Sequence, residues 1–250
     1  MDRRILDEIL RAAQDKRPVV LATVLETGAQ SLIDLSSPGG GADADELHQA
    51  ALFASISDRS ATVDLSDGRR MFLNVYNPPL RMIIVGAVHI TQALAPIAAQ
   101  VGYDVTVVDP RQAFASPERF PGVALTHDWP DEALAALRPD RRTAVVTLTH
   151  DPKLDDPALE AALRSDCFYI GSLGSRKTHA ARLERLRQAG FDASATDRIH
   201  GPIGLAIGAR SPAEIAIAIM AQVTECLRRR PEEQPLRQDD GGPSGEHRAA

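Results

Sequence analysis

Cysteine is nearly absent: Cys167 and Cys226 are the only two in 250 residues. They lie far apart and without C-x-x-C spacing, which argues against a disulfide framework or a zinc ribbon and fits a reducing, cytoplasmic setting. Aromatic residues make up 4% of the chain and the formal net charge is -6. No basic, aromatic-interleaved stripe exists to hold single strands, so nucleic acid is not an expected partner. Nowhere do 18 apolar residues follow one another, and the charged opening MDRRILDEILRAAQDKR lacks a signal-peptide core, so no membrane partner is expected. G-x-S-x-G, G-x-x-x-x-G-K-[ST] and H-E-x-x-H are all missing, which removes the common serine-hydrolase, P-loop and zinc-protease readings. No catalytic residue and no metal ligand set stands out.

What is present is enough apolar sequence, 44%, to bury a real core. Ile5, Ile9, Leu10 and Ala13 recur at helical spacing, and that helix stops before Pro18. Strands are expected at 18–26 and 31–35, then a loop over 36–43, a helix over about 44–54 and a hairpin around Asp67-Gly68. Residues 1–77 therefore read as a small α+β domain. Asn77-Pro78-Pro79 marks a boundary, because two prolines cannot continue a strand ladder.

From Leu80 the pattern alternates. Apolar β-branched runs at RMIIVG, DVTVVD, GVALTH, TAVVTLT and CFYIGS are separated by helical stretches near 89–101, 130–138, 156–164 and 176–189. Strands apolar on both faces belong to a parallel sheet covered by helices on each side, so residues 80–228 are expected to be an α/β, doubly wound, Rossmann-like domain. Ser211-Pro212-Ala213-Glu214 combines an N-cap, an N1 proline and a capping-box acid, and starts the last helix. Residues 229–250 are poor in apolar side chains and rich in proline, glycine and charge, and are expected to be disordered.

Ligands of open parallel sheets bind beyond the carboxyl ends of the strands. Here those ends carry Gly86-Ala87-Val88-His89, Asp109-Pro110-Arg111, Thr126-His127-Asp128, Thr149-His150-Asp151 and Gly171-Ser172-Leu173-Gly174-Ser175. The first resembles a dinucleotide turn with Val88 and Thr91 in place of its second and third glycines, and Asp109 stands where a ribose-binding acid is expected. The fifth opens onto Arg176, Lys177 and His179. Free backbone at Gly171 and Gly174, hydroxyls at Ser172 and Ser175 and the start of a helix would seat an anion, with Arg176 and Lys177 neutralising it. The alternative is that Ser175 is an N-cap and the two basic residues a solvated face. His89 and His150 are candidate ligand contacts. The segment IHGPIGLAIGARSPAEIAIAI, with Gly204 at its centre, reads either as a second backbone cradle or as a packed helix entry. Asp155-Asp156 reads as a helix cap before Pro157.

Taken together, GAVHIT, VTVVDPR, THD…DDPALEAAL, YIGSLGSRKTHAARLERL and IHGPIGLAIGARSPAEIAIAIMAQV resemble the Rossmann domain of the XdhC/CoxI family over about residues 80–228. These are accessory factors of molybdenum hydroxylases such as xanthine dehydrogenase and carbon monoxide dehydrogenase. The resemblance implies a chaperone rather than an enzyme. It would bind the molybdenum cofactor, as molybdopterin or its dinucleotide form, protect it during sulfuration by a cysteine desulfurase, and deliver it to the apo molybdenum hydroxylase; a homodimer is suggested by the family. Gly86, His89, Asp109, His150, Gly171, Ser172, Gly174, Ser175, Arg176, Lys177 and Gly204 are the residues expected to hold the cofactor. The chain departs from the family at Val88, where glycine is usual, at Ala206, where aspartate is usual, and at Gly40-Gly41-Ala42, where alanine replaces a cysteine. Two rival readings are an NAD(P)-dependent oxidoreductase, favoured by Asp109 and opposed by Val88, and a scaffold that recruits the hydroxylase or the desulfurase without holding cofactor.

Overall fold

The computed structural model describes residues 2–35 and 42–228. They divide into two compact units, one through Asn77 and the other from Pro78. The first contains α1 (Arg3–Gln14), β1 (Val19–Val24), β2 (Gln30–Asp34), α2 (Ala42–Ser57), β3 (Ala61–Asp64) and β4 (Arg70–Tyr76). Its strands form an antiparallel sheet in the order β2-β1-β4-β3. Alternation along β1 sends Val20 and Ala22 to pack with Ala50, Ala51 and Ala54 of α2, while Val19 packs with Ile9 and Ala12 of α1. Gly68, at φ +85°, turns the chain between β3 and β4. Gly40, Gly41 and the 229–250 tail lie outside the described residues.

The second unit runs β5 (Leu80–Val85), α3 (His89–Gln100), β6 (Tyr103–Val108), β7 (Ala124–Thr126), α4 (Pro130–Leu137), β8 (Thr143–Thr147), α5 (Pro152–Leu163), β9 (Tyr169–Ser172), α6 (Arg176–Gln188), α7 (Ala193–Thr196), β10 (Ile199–His200) and α8 (Pro212–Arg228). Its six strands are all parallel, in the order β10-β9-β8-β5-β6-β7. Along β5, Met82 and Ile84 face α3 and α8, with Leu94, Ala98, Ile219 and Val223. Ile83 and Val85 face the opposite layer, where Leu134 of α4, Leu159 of α5 and Leu186 of α6 close the core. Apolar residues at consecutive positions thus serve two cores, and the sheet is doubly wound.

The order of strands reverses between β5 and β8, which fixes the crevice expected to take a ligand. The boundary that departs furthest from the sequence expectation is the start of α5. α5 begins at Pro152 with Asp151 as its N-cap, so Asp155-Asp156 is not a cap but part of the helix. Asp151 wins because its carboxylate accepts from the Lys153 N–H at 3.0 Å and Pro152 supplies a preset φ at the first helical position. The two-residue β10 is too short to carry a periodic pattern, and the sequence alone does not reveal it.

Candidate functional site

The crevice is built by two loops that touch. Gly86 leaves β5 at φ +110°, and a Cβ there would stand 2.6 Å from the Thr149 side chain and 3.3 Å from its backbone nitrogen. Glycine is required by both the backbone angle and the close approach of the loop after β8. α3 then begins at His89, with Val88 as an N-cap whose side chain makes no capping hydrogen bond. The exposed His89 therefore opens a helix whose first N–H groups lack a side-chain acceptor, a setting that favours negative charge. Across the crevice His150 is also exposed, on a left-handed backbone at φ +62°. Such an angle is uncommon for a residue with a Cβ and belongs to a tightly constrained loop.

Asp109 does not project into the rim. It is 0% exposed, and its oxygens accept from the Ala87 N–H at 2.8 Å, the Arg111 N–H at 3.0 Å, and Arg111 Nε and Nη2 at 2.9 and 2.8 Å. Burial alone would push its carboxyl up, but the bonds from Arg111 and Ala87 hold it below the usual carboxylate range. The expected ribose-binding acid is thus a brace beneath the 86–88 turn, and Arg111 covers it.

The loop after β9 departs from expectation in the same manner. Ser172 does not offer its hydroxyl to an anion: strand pairing with β8 turns the side chain inward, fully buried, with Oγ 2.5 Å from Thr147 Oγ1. Gly171 is needed for packing, because a Cβ would collide with Ile203 and Tyr169. Ser175 is the N-cap of α6, its Oγ accepting from the Thr178 N–H at 3.1 Å. Gly174 bends the chain at φ +146°. Arg176 and Lys177 are exposed on the first turn of α6 and are the charges left available to an anion.

Beneath this loop lie two residues that sequence reasoning misses. Asp155 and Arg182 are each 2% exposed at the side chain, with Arg182 Nη2 3.7 Å from Asp155 Oδ2. Asp155 Oδ1 accepts from Thr149 Oγ1 at 2.6 Å, and Arg182 Nη2 donates to the Leu173 carbonyl at 2.9 Å. The pair thereby ties the loop after β8 to the loop after β9. Asp155 Oδ2, Arg182 Nε and Nη1, and the neighbouring His179 Nδ1 have no hydrogen-bond partner among the described residues. Burial pushes the Asp155 carboxyl up, and it lowers both the Arg182 guanidinium and the His179 imidazole.

The 200–211 segment packs against the same loop. Ile203 N–H donates to the Ser172 carbonyl at 3.2 Å, and a Cβ on Gly201 would collide with the His179 ring. Gly204, at φ +90°, donates its N–H to Gln222 Oε1 at 2.8 Å and lies on the backbone of Ala218 and Ile219. It therefore serves helix entry. Ser211 and Glu214 form the reciprocal capping box, with Glu214 Oε2 accepting from the Ser211 N–H at 2.9 Å and Ser211 Oγ accepting from the Glu214 N–H at 3.3 Å.

Comparison with known proteins supplies the family. Residues 82–223, more than half of the chain, match the XdhC Rossmann domain. The chain is 33% identical over 148 residues to the molybdenum cofactor insertion chaperone PaoD of Escherichia coli, covering 59% of this chain and 40% of that protein. It is 31% identical over 160 residues to a Bacillus subtilis protein described as a probable subunit of xanthine dehydrogenase, covering 64% and 46%. It is also 27% identical over 230 residues to an uncharacterised Escherichia coli protein, YqeB, covering 90% and 36%. The chain thus spans less than half the length of these relatives. A solved structure described as a xanthine dehydrogenase from Bacillus halodurans aligns with a TM-score of 0.66 at 25% identity, covering 93% of this chain and 67% of that one. No helix among the described residues is long and apolar enough to cross a membrane. The chain belongs to the XdhC Rossmann-domain family.

Proposed function

We propose that this chain binds the molybdenum cofactor at the carboxyl rim of its parallel sheet and passes it to an apo molybdenum hydroxylase in the cytoplasm. The observation that carries this reading is the switch-point crevice. There an uncapped helix start at Val88-His89 faces the strained His150 loop across Gly86, and Arg176 and Lys177 stand exposed on the rim. A phosphorylated pterin carries the negative charge that such a rim favours. The likeness to PaoD, itself named a molybdenum cofactor insertion chaperone, supports the same cargo.

In this reading Gly86 allows the close approach, His89 and His150 flank the cargo, and Arg176 and Lys177 balance its phosphate. Gly171, Ser172 and Gly204 shape the loops from below. Sulfuration with a cysteine desulfurase, a xanthine or carbon monoxide dehydrogenase client, and a homodimer belong to the same proposal. The Asp109 geometry speaks against hydride chemistry with NAD(P), because the acid that would hold a ribose is closed off by Arg111.

Anaerobic titration of the purified full chain with freshly released cofactor, with NAD and NADP as competitors, tests the reading. Saturable retention that neither nicotinamide displaces is expected. Absence of retention beside clear nicotinamide binding would sink the carrier role.

A further inference from the structure

The chain leaving β6 carries an arrangement that the bracing of Asp109 does not account for. Arg111 Cζ lies 4.5 Å from the centroid of the Phe114 ring, and Arg119 Cζ lies 5.9 Å from the same centroid. Both cations are anchored. Arg111 is fixed by its two bonds to Asp109, while Arg119 Nη1 donates to the Ala87 and Phe114 carbonyls at 3.0 and 2.6 Å, and Nη2 donates to Gln92 Oε1 at 3.2 Å. The 111–119 segment is thereby strapped to the turn that starts α3. Phe114 nevertheless remains 44% exposed, and the Arg111 side chain 39%. A large aromatic left in water is unfavourable for the fold alone, and here two positioned guanidinium groups hold it in place.

We propose that Arg111 and Phe114 form a seat for the planar base of a nucleoside phosphate. In a doubly wound sheet a dinucleotide lies across the switch point, with a nucleoside over the strand next to the first one and its phosphate at the first helix start. β6 is that strand and α3 that helix. The usual acid that reads ribose hydroxyls is sealed, so recognition passes from the sugar to the base. Guanidinium planes and aromatic faces both stack on heterocycles, with little preference among bases. Asp109 and Glu118 balance Arg111 and Arg119 in formal charge, so the phosphate attached to that base falls to the uncapped start of α3 rather than to this segment. The inference rests on the reading of this rim as a site for a phosphorylated heterocyclic ligand, and it assigns the end that a nucleotide extension of that ligand would occupy.

Titration calorimetry of the full chain with adenosine, cytidine and guanosine monophosphates, with ribose 5-phosphate as the base-free control, tests this. The nucleotides are expected to bind more tightly than ribose 5-phosphate, with modest differences among bases. Phe114→Ala should weaken nucleotide binding about tenfold and leave ribose 5-phosphate and the melting temperature unchanged. Phe114→Trp should restore binding, which a merely structural role of the ring would not predict. Equal affinity for nucleotides and ribose 5-phosphate, or an unchanged Phe114→Ala variant, overturns the seat. Cofactor retention without any base-dependent binding overturns the seat and leaves the carrier reading intact. Nucleotide binding through Phe114 without cofactor retention does the reverse.

Discussion

Two carboxylates, one on each side of the crevice, are buried beneath rim loops and each has an arginine partner, yet they behave in opposite ways. Asp109, under the β5 and β6 ends, meets Arg111 in a bidentate pair and also accepts a backbone N–H, so both its oxygens are satisfied. Asp155, under the β8 and β9 ends, stands 3.7 Å from Arg182 and leaves Oδ2 without a hydrogen bond, as it does two guanidinium nitrogens. Desolvation is large for both. Geometry decides the sign, since the carboxyl is lowered where the hydrogen bonds are complete and raised where they are not. One flank of the rim is a closed brace, and the other is an under-satisfied polar strut.

Breaking the strut should produce the largest effect. Arg182→Leu strands the Asp155 carboxylate in the core and should cost about 4 kcal/mol in urea unfolding. Replacing both partners, Asp155→Leu with Arg182→Met, should recover most of that loss, because a buried pair is costly to keep and more costly to halve. If the double variant is as unstable as the single, the pair is a stabilising bridge and the contrast with Asp109 fails. Gly86→Ala comes next. It places a Cβ against Thr149 and forces a positive φ on alanine, which should cost about 2 kcal/mol and disturb the crevice where the loops after β5 and β8 meet.

Acid titration sharpens the comparison further, because the two groups should act with opposite signs. Asp109 is lowered on folding, so its contribution is present above the unfolded value near 3.8 and disappears as pH falls through its lower folded value. Asp155 is raised, so its contribution is greatest below 3.8 and is lost as pH rises through its higher folded value. Asp109→Asn should therefore flatten the acid limb of a melting-temperature profile. Asp155→Asn should remove a decline that begins above pH 4. The same slope change in both variants would refute the distinction.

Much of the fold is legible in the residues, and the failures at the site share a cause. Consecutive apolar residues in RMIIVG and TAVVTLT reveal strands buried on two faces, and Ser211-Pro212-Ala213-Glu214 announces its helix through local capping chemistry alone. The direction of the Ser172 side chain is not local: it depends on β9 pairing with β8, which places Thr147 against it. Asp109 is visible in the sequence, but its partner is not, since a bidentate bond from Arg111 two residues on turns a ligand-binding acid into a brace. Asp155 and Arg182 do leave a signal. Asp155 shares a helical stripe with Ala158, Leu159 and Ala162, and Arg182 with Leu186, all buried. A charge on the core face of each of two helices asks for a buried partner. Reading Asp155-Asp156 as a cap conceals that question, whereas Asp156 pairs with Arg185.

The smallest expected effect separates fold from function on the β9 side. Ser175→Ala removes the cap of α6 and should cost about 1 kcal/mol, because the hydroxyl is the acceptor for the Thr178 N–H. Arg176→Ala with Lys177→Ala removes two exposed side chains from the same turn and should change stability by no more than about 0.5 kcal/mol. If those cations neutralise a bound phosphate, the double variant should nevertheless lose cofactor retention, while Ser175→Ala keeps most of it. Retention that follows stability instead, falling for Ser175→Ala and not for the double variant, would show that the turn is only a helix start. The anion would then have to be held at the uncapped start of α3, across the crevice from the strut.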